Sequence, residues 1–168
     1  MEQNITNYVY KINGDNTSRY ILGTIGENPL ICFGINSSTA TPVKLDPTVN
    51  RVRILSERLG YDCFVMFNVY PVRATNPDDL SFDCDYAEKL ANEKAIAEFV
   101  NYKNYDIWLA YGDIIEKRKY LRQCLVDLKS LPELVNVTYF HRGLTKKGNP
   151  RHPLYIKNDV LLSAYAAV

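Results

Sequence analysis

Leu30-Ile31-Cys32-Phe33-Gly34-Ile35-Asn36-Ser37-Ser38-Thr39-Ala40 joins an apolar run to a glycine, a carboxamide and a cluster of small side chains. The run reads as a buried strand, and the residues after it as a tight polar loop at the strand's C-terminal end. In open α/β sheets, ligands bind outside the carboxyl ends of the strands. The loop from Gly34 to Thr39 is therefore the first candidate site. The plainer alternative is a turn whose hydroxyls bond their own backbone.

Working outward, Asn7-Tyr8-Val9-Tyr10-Lys11 and Arg19-Tyr20-Ile21-Leu22-Gly23 are aromatic and β-branched, with the turn-rich Asn13-Gly14-Asp15-Asn16-Thr17 between them. They predict an N-terminal hairpin at a sheet edge. Downstream, Asp46-Pro47 is a helix start, because aspartate caps free amides and proline suits the first helical position. Val49, Val52, Leu55 and Leu59 follow at helical spacing and Gly60 ends the helix. Cys63-Phe64-Val65-Met66-Phe67 predicts a second strand, covered on both faces and ending in Asn68.

A second polar loop, Val69 to Leu80, leads to a helix over Tyr86 to Tyr102, with Ala87, Ala91, Ala95 and Phe99 on its apolar face and Leu90 beside them. Asp106 to Gly112 predicts a third strand, and Asp113 is positioned to cap a third helix carrying Ile114, Leu121, Leu125 and Leu128 inward. Asn136 to Phe140 predicts a fourth strand. Strands alternating with helices at this spacing imply a three-layer α/β/α fold with a mostly parallel central sheet. The expected organisation is one domain over 1–168: an N-terminal hairpin (1–28), an α/β core (29–157) and a C-terminal segment (158–168).

A chain of 168 residues suffices for one substantial core. A net charge of +1 gives no global basic signature, so any nucleic-acid contact must be local. The four cysteines form no Cys-x-x-Cys pair, and from the start Met1-Glu2-Gln3-Asn4 no secretory leader is expected. Reduced thiols in a cytoplasmic protein are expected, with no metal, no cofactor and no membrane span. The segment His141 to Lys157 contains both histidines, five basic residues and no acidic one. It reads as a solvated basic turn or as a phosphate-facing loop.

Three loops share one predicted sheet edge: Gly34 to Ala40, Asn68 to Asn76, and Gly148 to Tyr155. Together with Asp46-Pro47-Thr48, Arg73-Ala74-Thr75 and Pro77, they resemble a bacterial and phage family known as a domain of unknown function. That family carries a G-L-N-P-S-T-A loop, an N-L-x-x-x-R-A-T-x-P segment and a terminal G-x-P-R-H-P-L-Y. The chain departs from it at Ser37, where proline is usual, and at Tyr111, where tryptophan commonly precedes the glycine. The order of elements also resembles, more distantly, the uracil-DNA glycosylase superfamily.

The second resemblance implies a nucleobase site with Asn36 and His152 as catalytic residues. Asn36 would orient a water, and His152 would bond the departing base. Base contacts are expected from Asn68, Gly34, Ile35, Ser37, Ser38, Thr39 and Arg73; the basic loop offers backbone contacts from Lys146, Lys147 and Arg151, and the apolar Leu154 offers a wedge. The stacking aromatic is open among Tyr61, Tyr70 and Phe33. The implied partner is a nucleic acid or a nucleotide. The expected function is nucleobase binding with glycosylase-like hydrolysis of an N-glycosidic bond. A non-catalytic nucleotide-binding module and a protein-interaction factor are the alternatives. No Gly-x-Ser-x-Gly elbow supports a serine hydrolase, and no His-x-Glu with Pro-Cys-x-x-Cys supports a zinc deaminase.

Overall fold

Leu30 to Ile35 is a strand, as its apolar run predicts, and it lies at the centre of a seven-stranded sheet. The structure, a computed structural model, describes residues 7–166, so the expectation about Met1 to Asn4 lies outside the described residues. The strands are β1 (Tyr8–Ile12), β2 (Arg19–Thr24), β3 (Pro29–Asn36), β4 (Cys63–Tyr70), β5 (Asp106–Leu109), β6 (Thr138–His141) and β7 (Ser163–Ala164). The helices are α1 (Pro47–Arg58), α2 (Tyr86–Val100) and α3 (Lys119–Lys129). The strand order is β1-β2-β4-β3-β5-β6-β7.

β3 pairs in parallel with β4 on one side and with β5 on the other, and β5 pairs in parallel with β6. Both edges are antiparallel, β1 on β2 and β2 on β4 at one end, β7 on β6 at the other. The sheet is thus mixed, which corrects the mostly parallel expectation. The predicted hairpin forms and docks β2 against β4, and the short β7 is a return strand with no hydrophobic alternation to announce it. Because β4 and β5 lie on opposite sides of β3, the connections after β3 and β5 diverge. A crevice opens where they part, at the carboxyl ends of the strands.

Period-two alternation along β3 divides the core. Leu30 and Cys32 join Phe64, Met66 and Trp108 in a cluster that receives Val49, Val52 and Leu55 of α1. Ile31, Phe33 and Ile35 join a second cluster with Val65 and Phe67, which receives Ile96 and Val100 of α2 and Leu121, Cys124 and Leu128 of α3. Asp46 caps α1 as predicted, its carboxylate accepting the Val49 N–H at 2.8 Å.

Two local expectations change. On α2, Ala91, Ala95 and Phe99 pack inward as expected, whereas Ala87 and Leu90 are exposed and Lys89, Asn92 and Ile96 are buried, an ion pair from Lys89 to Glu93 and Asp127 letting a charged residue face α3. The third helix begins at Lys119 and not at Asp113; residues Gly112–Glu116 form a separate 3-10 turn. The Asp113 carboxylate instead accepts hydrogen bonds from the Thr145 hydroxyl at 2.7 Å and the Asn149 amide at 2.8 Å. All four cysteines are free thiols, and among the described residues no helix is long and apolar enough to cross a membrane.

Candidate functional site

The crevice at the ends of β3, β4 and β5 holds a cavity of about 370 Å³, within the range of small-molecule pockets. The β3 end contributes Gly34, Ile35, Asn36, Ser38 and Thr39, and β4 contributes Met66 and Asn68. His152 and Leu154 reach it from the C-terminal loop, and Ile114 from the 3-10 turn after β5. Asn36, Asn68 and His152, far apart in number, therefore line one space.

Asn36 is held by two donated bonds, from Nδ2 to the carbonyls of Ser37 at 2.9 Å and Ala74 at 2.8 Å. Both partners are acceptors, so the nitrogen is assigned by chemistry, and Oδ1 is the atom left for a ligand or water. The loop after β3 is laced to the loop after β4. The Ala74 N–H donates to the Ser37 carbonyl at 2.9 Å. Arg73 donates to the carbonyls of Ser38 and Ala40, to the Tyr10 hydroxyl at 2.8 Å and to the Asn16 side chain at 2.8 Å.

Asn68 is 2% exposed, and its side-chain nitrogen has no hydrogen-bond partner. Burying an amide without a partner costs about 1–3 kcal/mol. Such orphans are rare in folded proteins and mark places where a ligand or water completes the pairing. Asn68 lies opposite Gly34 in the β3–β4 register.

His152 sits at the head of the 3-10 turn Pro153–Tyr155. The Gly112 N–H donates to the Pro150 carbonyl at 2.8 Å, tying this loop to the end of β5. The ring's Nδ1 accepts the Leu154 N–H at 3.3 Å, which puts the proton of the neutral imidazole on Nε2. Burial holds the His152 pKa below the ordinary imidazole value, with Asp46 partly opposing it. The ring is thus a neutral donor at physiological pH.

Two charged residues that sequence patterning did not single out as site residues also line the cavity. Arg19 is 2% exposed, donates to the Ala40 carbonyl at 3.1 Å and keeps an unpartnered Nε. Burial pulls its pKa down to about 10, with Asp46 acting to raise it, so it stays cationic at neutral pH. Asp46, expected only as a helix cap, is the sole carboxylate among the lining residues. One arginine against one aspartate leaves the lining without net charge; apolar side chains such as Ile35, Met66 and Ile114 alternate on the walls with uncharged polar ones such as Ser38, Thr39 and Thr75. Arg19 opens an apolar strand next to a turn, and nothing local in that pattern points it toward a distant loop.

Other expected residues lie elsewhere. Ser37 is fully buried and donates its hydroxyl to the Pro71 carbonyl at 2.6 Å, so it braces the loop from behind and does not line the cavity. Arg73 likewise serves as a loop clamp outside the lining. Tyr61, Tyr70 and Phe33 are also outside it. Tyr61 donates to Asp106 at 2.6 Å, Tyr70 accepts the Asp85 N–H at 3.0 Å, and Phe33 packs edge-on to Phe67 in the core. Lys147 is engaged by Glu116 at 2.6 Å. Lys146 and Arg151 line a neighbouring cavity. Among the described residues, no three His, Cys, Asp or Glu side chains converge as metal ligands.

A family model described as "Protein of unknown function (DUF1643)" matches residues 19–154, from the start of β2 to the turn after His152. The chain belongs to this family. The match spans every residue that lines the cavity, from Arg19 to Leu154. No curated protein and no solved structure matches the chain.

Proposed function

We propose that the cavity binds a nucleobase and that the protein hydrolyses the N-glycosidic bond of a base turned into it, in the manner of a DNA glycosylase. The observation that carries this reading is Asn68, a buried carboxamide with an unpartnered Nδ2, among the residues that line an electrically balanced cavity. A neutral lining disfavours a phosphate and suits an uncharged heterocycle. A carboxamide offers one donor and one acceptor side, which matches the Watson–Crick edge of a flipped base.

In the proposed step, a water oxygen bonds to the sugar C1′ while the C1′–N bond breaks and its electron pair leaves with the base. The sugar passes through an oxocarbenium-like state. Asn36 Oδ1 orients the water. A carboxamide is too weak a base to take the proton, so the second carboxylate oxygen of Asp46 receives it. His152 donates from Nε2 to the base oxygen on which negative charge grows. Met66 and Ile114, and not an aromatic ring, supply the apolar contact to the base faces, a role a polarizable thioether suits.

A three-layer, uracil-DNA glycosylase-like arrangement is supported by α1 burying its apolar face in one core cluster and α2 and α3 burying theirs in the other. The test uses oligonucleotides carrying uracil, hypoxanthine or alkylated bases, incubated with the protein and then treated with alkali. Strand cutting that disappears in Asn68→Ala and Asp46→Asn supports hydrolysis. Cutting that survives both substitutions overturns the site assignment.

A further inference from the structure

A second cavity, of about 420 Å³, adjoins the first: Ile114 and His152 line both. Its chemistry differs. Lys146 lines it and makes no ion pair among the described residues. Arg151 uses Nε to donate to the Leu144 carbonyl at 2.8 Å, while its two terminal nitrogens make no hydrogen bond among the described residues. The one carboxylate, Asp113, already accepts from Thr145 and Asn149. Two cations against one carboxylate leave one net positive charge, enough for a single phosphate.

Beside these cations stands Tyr155, 76% exposed. Its backbone N–H donates to the His152 carbonyl at 3.0 Å, and its neighbours Pro153 and Ile156 are buried, so a large ring is presented from an anchored turn. An exposed aromatic next to unpaired cations in a groove is how proteins bind single-stranded nucleic acid, with bases stacking on rings and phosphates meeting the charges.

We infer that the second cavity, through Tyr155, Lys146 and Arg151, binds the nucleotide next to the base held in the first cavity, and that the ligand is therefore a single strand and not a free nucleoside. This rests on the nucleobase reading of the first cavity. A base in the first cavity has left its stack, and a neighbour stacked on Tyr155 must leave it too, which a single strand permits without breaking a duplex. The footprint is small, in keeping with a net charge of +1.

The experiment compares fluorescein-labelled oligothymidylate, the same strand in duplex, oligouridylate and free nucleobases. Anisotropy reads strand binding, and thermal shift reads free-base binding, which probes the first cavity alone. Expected are weaker binding of the duplex, an about tenfold loss of single-strand affinity in Tyr155→Ala, and near-full retention in Tyr155→Phe. Lys146→Ala flattens the salt dependence of log affinity by ~0.7, the share of one phosphate on a single strand. Binding of either oligothymidylate or oligouridylate that is lost in Tyr155→Ala supports the subsite. Free bases that bind through Asn68, with strand affinity and salt slope unchanged in Tyr155→Ala and Lys146→Ala, overturn this inference alone. Strand binding that depends on Tyr155 without any free-base binding supports the subsite and removes the nucleobase reading. Duplex bound as tightly as single strand overturns the inference.

Discussion

Gly34 and Asn68 face each other across β3 and β4, and a Cβ atom at position 34 would stand 2.8 Å from Asn68 Oδ1. The glycine is therefore required for space, so that the Asn68 carboxamide can lie over β3 and reach the cavity. Gly34→Ala is expected to push that side chain aside and to destabilise the fold by about 1–3 kcal/mol, as overpacking does. Urea denaturation measures the stability change, and the alkali-cutting assay measures the accompanying loss of function. Unchanged activity in a stably folded Gly34→Ala protein would count against any role for the Asn68 carboxamide.

Asn68 itself should show the opposite balance. Its Nδ2 is buried without a partner, so removing it relieves an unfavourable burial and takes away no hydrogen bond. Asn68→Ala is expected to stay within about 1–2 kcal/mol of the parent, with cavity loss offset by removal of the orphan donor, while binding in the cavity is lost. Parallel thermal melting and base-binding titrations check the pair of outcomes. A large destabilisation with intact binding would mark Asn68 as an ordinary core residue.

Asn36 should matter for both properties. Its Nδ2 bonds tie the loop after β3 to Ser37 and Ala74. Asn36→Ala removes both and is expected to lower stability by about 1–3 kcal/mol. Asn36→Asp is expected to be worse, because it sets a carboxylate oxygen against two carbonyl oxygens. Comparing the two variants by urea midpoint tests the orientation assigned to the carboxamide, and a more stable aspartate variant would reverse it.

Ser37 is expected to act through stability alone. Its hydroxyl reaches the Pro71 carbonyl, which also accepts the Arg19 N–H at 3.1 Å, so Ser37→Ala leaves that carbonyl paired. A loss of about 0.5–1.5 kcal/mol is expected, with cavity binding preserved. Ligand titration of Ser37→Ala checks this, since a large drop in affinity at unchanged stability would return Ser37 to the ligand.

The lowered His152 pKa has a pH consequence. Burial keeps the imidazole neutral in the fold, so below its unfolded value near 6.5 the unfolded chain binds more protons than the folded one. The neutral ring's contribution is complete above that value and is lost as pH falls through the window beneath it. The urea midpoint should therefore drop on acidification in this range, and His152→Gln should flatten that part of the profile. An unchanged profile in the variant would place the titration on another group.

The apolar runs of β3 and β4, the Asp46-Pro47 start of α1 and the polar loops at the strand ends were all legible in the amino-acid order. Each depends on contacts within a few residues: alternation along a strand, a carboxylate over the first turn of a helix, a glycine where a run stops. The meeting of Asn36, Asn68 and His152 was expected from the glycosylase resemblance, together with the sheet edge that their loops share. Tertiary structure alone settled the rest. It turned Ser37 and Arg73 from the cavity into braces, brought the Arg19 guanidinium from the hairpin into the lining, and kept Tyr61, Tyr70 and Phe33 out of it. It also set β2 antiparallel against β4 and brought β7 back antiparallel onto β6. The physical reason is reach. Periodicity records which side of an element is apolar. The destination of a long or hydrogen-bonding side chain depends on partners tens of residues away, which only the packed chain brings within bonding distance.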